Sequence, residues 1–120
     1  MRGVESIRAG RKALDIVNLC TITELSESAL LEIDPALSAL LTRAEEAVRL
    51  QAARRLADCS WAPREAVKLL ALDELTIATP ILQRSSRLDD ACLMEAAGLG
   101  REQRRLIAGR ERISQAVCAA

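Results

Sequence analysis

The chain has no histidine, no tyrosine and no phenylalanine, and Trp61 is its only aromatic residue. Without histidine the commonest general base is missing, so acid–base chemistry would fall to a carboxylate, a lysine or a thiol. The same absence removes imidazole ligands for zinc, and none of Cys20, Cys59, Cys92 and Cys118 lies in a C-x-x-C pair. Long apolar runs are lacking too. The best near the start, residues 13–22, contains Asp15 and is too short for an export signal or a membrane span. Free thiols in a reducing cytoplasm are therefore expected rather than disulfides, and no membrane association. Valine, isoleucine and threonine are too scattered to build several strands. No glycine-rich phosphate loop follows a strand, and Gly98-Leu99-Gly100 reads as a helix end. No metal and no cofactor are expected.

What is present is leucine and alanine, 19 and 21 of the 120 residues. Both favour helix, and small side chains suit close helix–helix packing. An all-α chain follows. Basic and acidic residues number 17 each, so the net charge is zero. From Arg84 to Arg112 seven arginines face five acids, a surplus of two that residues 1–83 offset with ten bases against twelve acids. That asymmetry does not by itself announce nucleic acid or membrane as a partner.

Helix punctuation divides the chain. Residues 4–19 can form a first helix, weakened by Gly3 and Gly10 and basic at its start through Arg2, Arg8, Arg11 and Lys12. That basic start reads as a solvated terminus or as a face for an acidic partner. Ser26 is an N-cap, with Leu25 and Leu30 as a hydrophobic staple. Asp34-Pro35 reads as a further boundary, with Asp34 capping a helix that runs to about Ala57 or breaks near Leu50. Pro63 opens a helix to about Leu72, and Asp73 caps the next, which Pro80 should kink or delay. Asp89 caps another, ended by Gly98 and Gly100. Gly109 ends the one begun near Arg101, and Ser114 starts a last.

This grammar recurs at about 25–26 residues: Leu56, Leu82 and Ile107 take one place, Ala62, Leu88 and Ile113 another. Repeated helical hairpins build a solenoid in which each unit covers its neighbour's apolar face. The chain stops two turns into the helix that Ser114 caps. The terminus is then exposed, docks on a second copy to give a homo-oligomer, or continues in the natural protein.

From about Leu25 to Cys118 the chain resembles a bacterial family of unknown function with HEAT-like repeats. The likeness is carried by Arg54-Arg55-Leu56-Ala57, Ala62-Pro63, Val67, Leu70-Ala71, Asp73-Glu74, Ile77-Ala78 and Pro80-Ile81-Leu82. Ser85, Leu88-Asp89, Leu93, Arg105, Ile107-Ala108, Arg110, Ile113-Ser114 and Val117 complete it. The resemblance implies a right-handed superhelix of antiparallel helix pairs over residues 25–120, with residues 1–24 as an N-terminal helical cap. It carries no catalytic residue. Pro35 and the incomplete last repeat depart from the family's pattern.

Arg84, Arg87, Arg101, Arg104, Arg105 and Arg110 are the polar residues with a choice of roles. They either cap helix ends and pair with Asp90 and Glu95, or form a patch for an acidic protein segment or for phosphates. Trp61 either covers the core edge or anchors a partner. Adjacent Asp89 and Asp90 do not face each other on a helix and suit its N-terminus instead. The expected function is a non-enzymatic protein-interaction or scaffold module. The alternative is a nucleic-acid or phosphate-binding protein that uses the Arg84–Arg112 face.

Overall fold

The computed structural model describes the backbone of residues 2–110 and the side chains of 6–110. The helix that Ser114 would cap, Cys118 and the docking surface expected at 113–120 lie outside these residues. Seven helices are present among the described residues, and no strand. They are α1 (Arg2–Ile22), α2 (Glu27–Arg43), α3 (Glu46–Ala57), α4 (Arg64–Ala71), α5 (Leu75–Arg84), α6 (Asp90–Ala97) and α7 (Arg101–Ala108).

Odd-numbered helices touch in sequence, α1 to α3 to α5 to α7, and even-numbered helices follow from α2 to α4 to α6. Successive helices therefore alternate between two rows. The extents of 44 × 33 × 18 Å fit two helix layers, since packed axes lie roughly 8–10 Å apart. The core fills the space between rows. Ala52, Ala53, Leu56 and Ala57 of α3 meet Ala66, Val67, Leu70 and Ala71 of α4 and Ile77, Ala78, Ile81 and Leu82 of α5 in one cluster. Leu56, Leu82 and Ile107 are all buried, one in each of α3, α5 and α7.

Several helix ends follow local chemistry. Ser26 Oγ accepts the Ala29 N–H at 3.2 Å, and Asp89 Oδ1 accepts the Cys92 N–H at 2.8 Å. Pro63 immediately precedes α4, and Gly109 follows α7. Other boundaries differ from the sequence reading. Residues 34–35 are no boundary, because α2 runs through them. Pro35 and Leu31 are both exposed, so water can replace the hydrogen bond that Pro35 removes from the Leu31 carbonyl. Asp34 is buried and caps another helix: its carboxylate accepts the N–H groups of Glu65 at 2.8 Å and Ala66 at 2.9 Å. Those donors open α4, whose own N-cap position is held by Pro63 with no side-chain acceptor.

The helix expected to reach Leu50 or Ala57 ends at Arg43, and Ala44 and Glu45 are extended. No glycine or proline marks this corner. It is fixed by the change of row and by Arg49, whose Nη1 donates to the Ala44 carbonyl at 2.7 Å and whose Nε pairs with Asp73 at 2.8 Å. Asp73 thus serves Arg49 and the Glu74 N–H rather than capping α5. Pro80 does not delay α5, which starts at Leu75 and continues to Arg84. Gly10, expected to weaken α1, is buried against α3: a Cβ there would lie 3.0 Å from Val48 Cγ2. Its missing side chain sets how closely α1 and α3 approach.

Candidate interaction surface

The described arginines of this segment, Arg84 to Arg110, do not form one face. Two point inward to the main chain. Arg87 Nε donates to the Ala62 carbonyl at 2.8 Å, and its Nη2 lies 3.9 Å from Glu27. Arg110 donates to the carbonyls of Leu82 (2.6 Å), Ile81 (3.5 Å) and Ser85, closing the C-terminal end of α5. Burial pulls the Arg110 guanidinium below its usual value, though arginine stays charged across the physiological range. These two carry structure, not a free surface. Replacing Arg110 by methionine, which keeps the stem and removes the donors, is expected to cost about 1–3 kcal/mol. The same change at Arg84 should cost under about 0.5 kcal/mol by urea denaturation.

Arg84 pairs with Asp58 at 3.1 Å, and Arg105 with Glu102 at 3.6 Å. All four side chains are about half exposed or more, so these pairs contribute little and can exchange for an incoming carboxylate. Arg104 donates to the Ala97 carbonyl at 3.2 Å, and Arg101 is exposed. None of Arg101, Arg104 and Arg105 pairs with Asp90 or Glu95 among the described residues. Asp89 is the N-cap of α6 and Asp90 its first residue, as their spacing suggested.

Arg84 and Arg105 flank a depression of about 360 Å³ between α5 and α7, completed by Gln83, Leu106 and Gly109. A second depression of about 300 Å³ lies between α3 and α5. Leu50, Arg54, Thr76, Thr79 and Pro80 line it, and again Gln83 and Arg84. The two share Gln83 and Arg84 in their linings and so adjoin as a stepped groove on the odd row, with Arg54, Arg84 and Arg105 along it. Arg54, Leu50 and Leu106 are absent from the sequence-based surface. Only the stacking of α3, α5 and α7 brings them together.

Trp61 belongs to the core edge. Its Nε1–H donates to the Cys20 carbonyl at 2.6 Å and its ring is half-buried against the core. Cys59 Sγ lies 3.7 Å from the same carbonyl. Cys20, Cys59 and Cys92 are free and buried. Burial, with Cys59 and Asp34 nearby, raises the Cys20 thiol to about 11; burial, then Asp89, does the same for Cys92. Such thiols stay protonated at neutral pH and make poor nucleophiles. The folded state binds these protons more tightly than the unfolded chain. Its stability is therefore full below pH 9.0 and falls as pH rises toward about 11. The expected loss is about 1–2 kcal/mol per thiol. Burial raises the Cys59 thiol as well, so part of the loss persists when Cys20 and Cys92 are removed. Urea melts followed by Trp61 fluorescence at pH 8 and 10.5 should show the loss, smaller in a Cys20→Ala/Cys92→Ala variant.

No group of three or more His, Cys, Asp or Glu residues is placed to hold a metal ion among the described residues, and no described helix is long and apolar enough to cross a membrane. Comparison with protein-family models, curated proteins and solved structures finds no match to this chain.

Proposed function

We propose that this chain is a non-enzymatic interaction module, a HEAT-like stack of helix pairs whose groove along α3, α5 and α7 receives an acidic protein segment. The observation that carries the reading is the meeting of two depressions at Gln83-Arg84, with Arg54, Arg84 and Arg105 spaced along them. Leu50, Pro80 and Leu106 give the groove apolar floor, so it suits a peptide that alternates carboxylates with an apolar anchor. The repeat reading is supported by the alternation of rows and by buried Leu56, Leu82 and Ile107 at a step of 25–26 residues. Buried unpaired thiols fit a cytoplasmic setting.

Selection from a random-peptide display library tests this. The expected winners carry several Asp or Glu residues and one aliphatic anchor. An Arg84→Glu/Arg105→Glu variant should lose them and select basic peptides instead. Enrichment unaffected by that charge reversal would refute the groove. Salt-sensitive retention on duplex DNA, lost in the same variant, would favour phosphate backbones over peptides.

A further inference from the structure

A second concavity lies away from the groove, between α1 and α2. It measures about 150 Å³ and is lined by Arg8, Ala9, Lys12, Leu40 and Arg43. Arg8 and Lys12 stand one turn apart on α1, and Arg43 comes from the last turn of α2. The α1–α2 hairpin places three cations around one apolar floor. Other arginines at helix contacts have acceptors: Arg49 has Asp73, Arg55 has Asn18, Arg84 has Asp58, Arg87 has Ala62 and Glu27, and Arg110 has three carbonyls. Arg8, Lys12 and Arg43 have no carboxylate within 4.0 Å among the described residues. The Ala44 carbonyl at the end of α2, which would repel an anion, is already bonded by Arg49. Three like charges gathered with no counter-charge among the described residues repel one another, and a bound dianion relieves that repulsion.

We propose that this concavity is a binding site for a phosphate monoester. The dianion sits among the two guanidinium groups and the ammonium, and the ester's carbon side rests on Ala9 and Leu40. Two sources offer this group: a free phosphorylated metabolite, and the head group of phosphatidic acid in a bilayer. Half-exposed Ile7 beside Arg8 would suit the second.

The test has two arms. Glycerol 3-phosphate is titrated into the protein while backbone amide shifts are followed. In parallel, the protein is sedimented with phosphatidylcholine vesicles, plain or doped with phosphatidic acid. Saturable shifts centred on Arg8, Ala9, Lys12, Leu40 and Arg43 establish the site and a soluble ligand. Capture by doped vesicles alone establishes the site and a lipid ligand. In either case Lys12→Gln/Arg43→Gln should weaken binding by about tenfold or more, while Arg84→Gln/Arg105→Gln leaves it unchanged. These positions are exposed, so the variants should keep the wild-type circular dichroism spectrum. Absence of binding in both arms overturns the proposal. So does binding that spreads over all the surface arginines, or that Arg84→Gln/Arg105→Gln weakens equally.

Discussion

Replacing Asp34 by alanine should cost about 2–4 kcal/mol, one of the largest losses available from a single polar residue here. The carboxylate sits in α2 yet holds the two N–H groups that open α4, at 2.8 and 2.9 Å, and its side chain also accepts from Ser38 Oγ at 3.4 Å. Alanine leaves both donors unsatisfied, and the Ala66 N–H bond is buried. Pro63, at the N-cap position of α4, has no side-chain acceptor to substitute. The bond spans 31 and 32 residues of sequence, so its loss uncouples two even-row helices as well as fraying one. Asparagine keeps one acceptor but turns an amide N–H₂ toward the other donor, so Asp34→Asn should fall about midway. Urea melts read by Trp61 fluorescence measure all three proteins. Equal stability of Asp34→Ala and the parent chain would show that α4 needs no cap from α2.

Leu56→Ala is expected to cost about 2–5 kcal/mol. Leu56 is fully buried in α3, the helix that touches α1, α4 and α5, so the cavity opens in a helix packed against both rows. Many of its cluster partners are alanines, whose side chains have no rotamer to swing into the void. The site therefore collapses poorly, and the cost should fall in the upper half of that range. Leu31 makes the control: it is 74% exposed on α2, and its replacement by alanine should change stability by less than about 0.5 kcal/mol. Since a domain of this size is held by about 5–15 kcal/mol, Leu56→Ala alone should bring the midpoint down sharply. A small effect at Leu56 would place the core elsewhere.

Much of the helical order is legible in the residues themselves, because caps and breaks are local events. Ser26 and Asp89 bind N–H groups three residues ahead, as their positions suggest. Leu56, Leu82 and Ile107, which the sequence pattern expects at one repeat position, are all buried. What escapes local reading is decided by contact across the two rows. Asp34 resembles a cap for its own helix, but its acceptors point to α4, a pairing that no spacing rule contains. The corner at Ala44-Glu45 carries no glycine or proline, since Arg49 and the change of row impose it. Pro80 reads as a helix breaker, yet it is buried inside α5, where packing overrides the cost of one missing donor.

The surface was half legible for the same reason. Arginine is recognisable in sequence, but its direction is not. Arg87 and Arg110 turn inward to carbonyls 25 and 25–29 residues earlier, while Arg84 and Arg105 turn to the groove. Arg54 joins them only because α3 and α5 lie side by side. Arg43 reaches Arg8 and Lys12 only through the α1–α2 hairpin.

The most direct test of the account maps backbone amide shifts while a selected acidic peptide is titrated into the chain. Saturable shifts are expected along Leu50–Arg54, Thr76–Arg84 and Arg105–Gly109, with α2, α4 and α6 quiet. Shifts confined to the even row, or absent from Gln83 and Arg84 where the two depressions meet, would contradict it.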